Sequence, residues 1–353
     1  MLTETAGLGY AIRVLSLAAA YAGKRVLITG GLGFIGSNLA IALAEVDVEI
    51  CLLDAMLPEY GATPFNIEPI RHRVRVNVSD LRDSVGLRHL VAGQDVVFNL
   101  AGQASHLRSM TDPIGDLEIN CRAQLSLLEC CRRYAPRARM VLASTRQVYG
   151  RPRHLPVDES HSTEAVDING VHKLASEGYY RLYHRVHGLE TVVLRLTNTY
   201  GPRMDLISGD KGVLGVFIRR ALLGERIQLF GGGMQKRDCN YVDDVVAALL
   251  SCGVDQRVIG GTFNLGHEQP IRLLDFVHEL RRLTGCEYEH RPFPVDQEAI
   301  DIGDYYASFS KLTEATGWRP KVDLPDGLAR TIDYFRRYRE IYLSGGATDD
   351  HAD

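Results

Sequence analysis

Short apolar runs alternate with stretches of helical periodicity through the first two hundred residues of the chain. The runs predict buried β-strands at 26–28, 48–53, 73–78, 95–101, 140–144 and 191–196. Apolar residues recur with helical spacing between them, at 37–45, 116–134 and 169–187. Regular alternation of strands and helices predicts an α/β fold, a doubly wound parallel sheet whose ligands bind at the carboxyl ends of its strands.

The pattern changes after Gly201–Pro202, where short strands and loops rich in glycine and proline follow, with a return to the sheet near 262–266. We therefore expect a smaller C-terminal region beside the sheet domain. The apolar stretch 8–22 is interrupted by Arg13 and is too short to span a bilayer. Residues 1–23 are therefore expected to form an amphipathic or frayed extension, or else to follow from a wrongly assigned start codon. Residues 344–353 are polar and predict a disordered tail.

A strand, a glycine turn and a helix follow one another at residues 24–36, KRVLITGGLGFIG. Gly30, Gly33 and Gly36 allow a tight turn and a close approach of backbone to a pyrophosphate, and the helix N-terminus adds free N–H groups. Asp54 ends the next strand, about 20 residues downstream, where a carboxylate accepts both ribose hydroxyls of an adenosine. The sequence thus predicts a Rossmann domain, with NAD favoured over NADP because Asp54 repels a 2′-phosphate.

Further cofactor contacts are predicted at the ends of the neighbouring strands. Asp80 is placed to accept a hydrogen bond from the adenine amino group, and Ala101–Gly102 lies beside the path of the cofactor. The complete set predicted to contact NAD is Gly30, Gly33, Phe34, Ile35, Gly36, Asp54, Asp80, Leu81, Leu100, Ala101, Gly102 and Lys173.

Charge and cysteine content narrow the possible partners. The net charge of −4 gives no basic face, so we expect no nucleic-acid partner. Seven cysteines without C-x-x-C spacing predict buried thiols in a reducing, cytoplasmic compartment rather than a metal site, and no membrane association is expected.

Several motifs together resemble the extended short-chain dehydrogenase/reductase family, in particular its nucleotide-sugar epimerases, dehydratases and decarboxylases. They are TGGLGFIG (29–36), NLAGQ (99–103), STRQVYG (144–150), RLTNTYGPR (195–203), RDCNYVDDV (237–245) and GWRPKVDLPDGL (317–328). The resemblance covers roughly residues 24–340. It implies that 24–200 and 239–267 form the NAD-binding domain, and that 201–238 and 268–343 bind a nucleoside diphosphate sugar.

The resemblance also implies roles for individual residues. Thr145 matches the Ser/Thr that hydrogen-bonds the reacting sugar oxygen, and Lys173 matches the lysine that binds the nicotinamide ribose. Asn198 and Arg237 match residues that contact the diphosphate or the nucleoside. The complete set expected to contact the substrate is Gln103, Ser105, Arg146, Gln147, Asn198, Arg203 and Arg237. The helical stretches 116–134 and 169–187 resemble those that form a homodimer interface in relatives.

One departure from the family concerns its catalytic tyrosine, because the matching position, four residues before Lys173, holds Asn169. Asparagine cannot take a proton at any accessible pH. His172, one helical turn from Asn169, is one candidate base, and His106 is a second. Lys173 itself is another candidate, since burial lowers lysine pKa values. The remaining hypothesis is that the protein binds a nucleotide sugar without converting it.

The two residues after Thr145 limit the types of reaction that the chain could catalyse. Dehydratases of this family carry an Asp-Glu pair here and decarboxylases a Glu, whereas this chain has Arg146 and Gln147, which cannot act as carboxylate acids or bases. An isomerase that acts at C4 through a transient 4-keto sugar, in carbohydrate biosynthesis, is therefore expected by exclusion. Decarboxylation and dehydration stay as alternatives.

Two alternative contacts are expected for the side chain of Arg146. Near the sugar, its guanidinium suits a carboxylate or another anionic group of the substrate. Otherwise it forms a salt bridge to Asp158 or Glu159. The chain also has no arginine between Arg291 and Lys311, where relatives place one that binds the diphosphate. Either Arg237 and Arg203 bind the phosphates alone, or the acidic residues of that stretch contact sugar hydroxyls.

Overall fold

A seven-stranded parallel sheet forms the centre of the molecule. The computed structural model describes residues 14–57, 60–207, 212–294, 298 and 300–343. The sheet strands are β1 (Arg25–Thr29), β2 (Glu49–Asp54), β3 (Val74–Val78), β4 (Val96–Asn99), β5 (Arg139–Thr145), β6 (Glu190–Leu196) and β11 (Thr262–Asn264). Their order, β11-β6-β5-β4-β1-β2-β3, is that of a doubly wound sheet, which confirms the predicted fold class.

Helices cover both faces of this sheet, and the alternation of side chains along each strand divides the core between them. Val26 and Ile28 of β1 belong to one apolar cluster and Leu27 to the other. The main helices are Phe34–Leu43, Ser84–Val91, His106–Thr111, Pro113–Leu117, Ala123–Tyr134, Ile168–His187, Val213–Leu223, Val242–Val254, Leu273–Thr284, Ser310–Thr316, Leu324–Arg337 and Arg339–Tyr342. Shorter helical turns lie at Pro64–Arg73, Glu118–Arg122, Arg146–Tyr149, Gly231–Gly233 and Gln256–Val258.

Three pairs of short strands lie outside the central sheet, mostly in the C-terminal half. The strands are β7 (Asn198–Tyr200), β8 (Ile227–Phe230), β9 (Lys236–Arg237), β10 (Cys239–Tyr241), β12 (Ile271–Arg272) and β13 (Tyr288–Arg291), paired as β7–β10, β8–β13 and β9–β12. A separate apolar cluster joins the segment after β5 to the C-terminal half through Tyr149, Val157 and Tyr305. Two of its residues, Val148 and Tyr149, lie in the helical turn that directly follows Thr145 at the end of β5.

Three local features add detail to the predicted elements. The 116–134 stretch is helical throughout, as predicted, with a π-helical turn at Glu118–Arg122 between the α-helical parts Pro113–Leu117 and Ala123–Tyr134. The side chain of Asp244, in the first turn of the helix Val242–Val254, accepts from the backbone N–H groups of Lys321 and Val322. Tyr21, in the predicted extension, is fully buried and donates a hydrogen bond to the carbonyl of Leu250.

The rest of the terminal predictions falls outside the described residues. These are 1–13 of the predicted extension and the predicted tail, 344–353. Within the described ranges, none of the helices has the length and apolar character needed to cross a bilayer. The seven cysteines are all buried and unpaired.

Candidate active site

A cavity of about 370 Å³ opens at the carboxyl ends of β1, β2, β4 and β5. It is lined by all twelve residues predicted to contact NAD: Gly30, Gly33, Phe34, Ile35, Gly36, Asp54, Asp80, Leu81, Leu100, Ala101, Gly102 and Lys173. Thr145, Asn169 and Gln103 line the same cavity. The structure therefore brings the predicted cofactor residues together with Thr145 and Gln103, which are predicted to touch the substrate, and with Asn169 at the position of the family tyrosine.

The glycine turn is shaped for a close backbone approach. Gly30 has φ +69°, and a Cβ there would lie 3.0 Å from the backbone nitrogen of Ala101. A Cβ on Gly36 would lie only 2.2 Å from the carbonyl oxygen of Gly30. No side chain caps the helix that begins at Phe34, so its N-terminal N–H groups suit an anionic group such as a pyrophosphate.

Asp54 is fixed at the end of β2 by the loop that follows β1. Its two carboxylate oxygens accept from the backbone N–H groups of Leu32, at 3.0 Å, and Met56, at 2.9 Å. Burial raises the pKa of Asp54, against the opposing effect of these two hydrogen bonds. Together with the glycine turn, this carboxylate fits the pyrophosphate and ribose of NAD.

Lys173 also lines the cavity, where its side chain lies against the backbone that follows β4. A Cβ on Gly102 would lie 2.6 Å from the Nζ atom of Lys173, so only glycine leaves room for this amine. Burial lowers the pKa of Lys173, and the negative charge of Asp116 opposes that effect. Thr145, at the end of β5, accepts a hydrogen bond from the backbone N–H of Gln147 at 3.2 Å.

Asn169, which stands in place of the family tyrosine, is held by two acceptors. Its Nδ2 donates to the carbonyl oxygen of Gln103 at 2.8 Å and to the carboxylate of Asp116 at 3.2 Å. Its backbone N–H donates to the hydroxyl of Ser109. The side chain is therefore fixed at the edge of the cavity.

The two histidines predicted as candidate bases do not line the cavity. Nδ1 of His172 lies 2.7 Å from Oδ1 of Asp116, and Nδ1 of His106 lies 3.0 Å from Oδ2 of Asp167. Both rings therefore contact carboxylates behind the cavity wall. Of the candidate bases that the sequence offers, the structure places Lys173 in the cavity.

Three residues predicted to contact substrate have other partners. Ser105 accepts from the backbone N–H of Arg108 and caps a helix, and Gln147 donates to Asp167 at 2.9 Å. Arg203 donates to the carbonyl of Asn66 and the side chain of Asn38, and its guanidinium lies over the ring of Tyr334. None of the three lines the cavity, and their contact with substrate stays a prediction.

Arg146 forms neither of the predicted salt bridges. Its Nη2 donates to Oδ1 of Asn198 at 2.9 Å, and its guanidinium lies over the ring of Tyr305. Among the described residues, its Nη1 is buried and has no hydrogen-bond partner. Burial lowers the pKa of Arg146, and the nearby carboxylate of Asp238 opposes this.

Arg237 lies close enough to Arg146 for the two cations to affect each other. Burial, together with Arg146, lowers the pKa of Arg237 to about 10. The guanidinium of Arg237 donates to the carbonyl groups of Lys236 and Gly303. Burial also raises the pKa of the adjacent Asp238 to about 7, which weakens its ability to neutralise the two guanidinium groups at neutral pH. These residues form a second polar cluster in the C-terminal half of the chain.

Two groups of residues beneath the site were missed by the sequence analysis. Asp116 packs under Asn169, and no local pattern distinguishes it from an ordinary helix residue. Glu177 receives hydrogen bonds from both Nε and Nη2 of Arg195 and from the hydroxyl of Ser144, the residue before Thr145. The motif RLTNTYGPR signals that Arg195 matters, but its partner Glu177 lies in a different element.

Comparison with known proteins identifies relatives along most of the chain. The profile described as the NAD dependent epimerase/dehydratase family matches residues 26–266. A putative UDP-glucose 4-epimerase from Methanocaldococcus jannaschii is 31% identical over 317 residues, which cover 88% of this chain and 98% of that protein. A UDP-glucuronic acid decarboxylase and a dTDP-glucose 4,6-dehydratase are also among the relatives.

Solved structures of nucleotide-sugar epimerases are also similar to this chain. UDP-glucose 4-epimerase from Thermotoga maritima, solved with UDP-glucose, is 30% identical with a TM-score of 0.82, covering 90% of this chain and 100% of that one. UDP-glucuronic acid 4-epimerase from Bacillus cereus, solved with UDP-glucuronic acid and NAD, is 25% identical with a TM-score of 0.80, covering 89% and 99%.

Proposed function

We propose that this chain, which belongs to the NAD-dependent epimerase/dehydratase family, is a nucleotide-sugar epimerase that acts at C4 through a transient 4-keto sugar. The observation that carries the proposal is the single cavity in which the dinucleotide-binding residues meet Thr145 and the buried Lys173. NAD is the cofactor of this family, and when bound it supplies the hydride acceptor and donor.

Different residues of the cavity have different roles in the proposed reaction. Gly30, Gly36 and Asp54 bind and orient the dinucleotide. The hydroxyl of Thr145 hydrogen-bonds the sugar oxygen, and Nζ of Lys173 takes the hydroxyl proton as the carbon is oxidised. The proton returns from the same Nζ when the carbon is reduced on its other face. A lysine with a lowered pKa suits this role because burial favours the neutral form, which can accept a proton.

The residues next to Thr145 favour epimerisation over the alternatives. Elimination across C5 and C6 needs an acid and a base beside the sugar, and neither Arg146 nor Gln147 can act as one. Gln147 in addition donates its side-chain amide to Asp167. An epimerase needs only oxidation, rotation of the keto sugar and reduction, for which Thr145 and Lys173 are sufficient.

The test is conversion of UDP-, GDP-, CDP- and dTDP-sugars by the purified protein with NAD, followed by chromatography and mass spectrometry. We expect a product of unchanged mass, altered retention and no net NADH. Loss of water or carbon dioxide would overturn epimerisation in favour of dehydration or decarboxylation. Binding without conversion across the panel would support a nucleotide-sugar-binding protein instead.

The environment of Arg146 favours a sugar that carries an anionic group. Its Nη1 has no hydrogen-bond partner among the described residues, and its neighbour Asn198 is expected to contact substrate. The adjacent Arg237 adds a second positive charge, which the carboxylate of Asp301 at 3.5 Å offsets in part. A buried guanidinium nitrogen without a partner is costly, and a carboxylate provides a charge-assisted hydrogen bond.

Substrate selectivity tests this role of Arg146. In Arg146→Met, the Kd for UDP-glucuronic acid is expected to rise by about 10- to 100-fold, because a hydrogen bond to a charged group contributes about 1.5–3 kcal/mol. The Kd for UDP-glucose should change little, since it lacks the carboxylate. Calorimetric titration of both ligands measures this, and an equal loss for both would assign Arg146 to the diphosphate or to structure.

Exposed apolar side chains support the expectation of a homodimer. Leu125, Val171, Leu182 and Val186 are 36–59% exposed on the two helices predicted to form the interface. Val186→Glu is expected to convert a dimer to a monomer, because a charge would be buried against the second copy. Light scattering after size exclusion measures the mass, and a monomeric unmodified protein would contradict the proposal.

A further inference from the structure

We propose that Asp116 is the positioning residue that adapts this site to the absence of the family tyrosine: it fixes the amide of Asn169 and faces Lys173 with its charge. The proposal rests on the proposed function, because it gives Lys173 the role of proton acceptor. Asp116 belongs to none of the motifs that identify the family.

Asp116 occupies a central position behind the cavity wall. Its side chain is completely buried on the short helix Pro113–Leu117. One carboxylate oxygen lies 2.7 Å from Nδ1 of His172, and the other accepts from Nδ2 of Asn169 at 3.2 Å. Both partners lie on the Ile168–His187 helix, one turn apart. A single carboxylate therefore fixes the two side chains of this helix that come one position and one turn before Lys173.

These contacts determine which way the amide of Asn169 points. The carbonyl of Gln103 and the carboxylate of Asp116 are both hydrogen-bond acceptors, so the atom that faces them must be the nitrogen. The amide oxygen is then the polar side-chain atom of Asn169 that remains for a substrate in the cavity that this residue lines. Asn169 thus presents a fixed acceptor to a sugar hydroxyl, near where the family places a proton acceptor, and the proton itself passes to Lys173.

Asp116 makes the largest contribution among the groups that oppose the effect of burial on the pKa of Lys173. Three groups raise the pKa of Lys173 against its burial: Asp116, Cys121 and Glu177. The pKa of the Cys121 thiol is itself raised to about 11, so this group is neutral at neutral pH. Glu177 is paired through both oxygens with Arg195. Asp116 therefore supplies the main opposing charge, which keeps Lys173 from losing its proton too readily.

A variant that removes the charge of Asp116 but keeps its contacts predicts the direction in which the pKa of Lys173 changes. In Asp116→Asn, an amide oxygen can still accept from Asn169 and an amide nitrogen can still face His172, but the negative charge is gone. The pKa of Lys173 is expected to fall by about one unit or more, because an opposite charge nearby no longer favours the ammonium form. The acidic limb of the kcat profile should shift to lower pH by the same amount.

The direct readout is NMR titration of ¹³C-labelled lysine side chains in the protein without added cofactor, with Lys173→Met to assign the signal. Glu118→Gln is the matched control, since Glu118 lies two residues away and pairs at the surface with Arg122. Asp116→Ser serves as a second charge-free variant and should give the same direction of shift.

An unchanged or raised pKa of Lys173 in either folded variant would overturn the proposal. The NMR measurement needs no turnover, so it separates failure of this inference from failure of the proposed function. If the shift occurs but no sugar is converted, Asp116 acts on Lys173 as inferred and the epimerase proposal fails.

Discussion

Replacing Lys173 with methionine is expected to lower kcat by about 10²–10⁴-fold, the range for loss of a general acid–base group. Methionine is unbranched and of similar length, so it can fill the space beside Gly102, but it cannot take a proton. The histidines are turned toward Asp116 and Asp167, outside the cavity, so neither can take over from Lys173. Steady-state kinetics with the sugar converted best in the panel measures the effect.

Two controls distinguish proton transfer from cofactor binding. Lys311→Met makes the same change at an exposed lysine that donates to the carbonyl of Thr262, and it should leave kcat unchanged. Titration of Lys173→Met with NAD shows whether the cofactor still binds. If saturating NAD restores full activity, Lys173 holds the cofactor and another group is the base.

Replacing Glu177 with glutamine is expected to give the largest loss of stability, about 3–5 kcal/mol, because it leaves a buried arginine without its charged partner. Arg195 is 4% exposed and Glu177 is fully buried. The pKa of Arg195 is raised because the hydrogen bonds and charge of Glu177 outweigh the effect of burial. The hydroxyl of Ser144 donates to the same carboxylate, so the loss should also disturb Thr145.

Chemical unfolding measures this effect, and two comparisons test its cause. The double variant Glu177→Met/Arg195→Met should lose less than the sum of the single variants, since no unpaired charge remains. Glu118→Gln breaks an exposed pair with Arg122 and should cost less than about 1 kcal/mol. A cost of similar size at both sites would show that burial of the Glu177–Arg195 pair does not matter.

Local sequence patterns were enough to predict the sheet and the residues that line the cofactor cavity. The apolar runs and the helices between them specify a doubly wound sheet, because each strand and helix carries its own periodicity. The glycine turn and Asp54 are close in the chain, and the strand order brings their ends to one edge of the sheet. All twelve predicted cofactor residues therefore line one cavity.

The chemistry around Asn169 could not be predicted in the same way. Helical spacing correctly placed His172 next to Asn169, but it could not show that the imidazole turns to Asp116, 56 residues earlier in the chain. Arg203 lies within a recognised motif, yet its partners Asn38 and Asn66 come from the first third of the chain. Spacing along one helix does not reveal what another element places opposite it.

The sequence by itself determined the fold class, the dinucleotide cradle and the absence of the tyrosine, because these follow from residue type and local periodicity. The tertiary structure decided that Lys173 faces the cavity, that both histidines face carboxylates behind it, and that Arg146 meets Asn198 and Tyr305. These contacts join residues 50 to 160 positions apart. Only the folded chain fixes them, because packing selects one of the many directions in which each side chain could point.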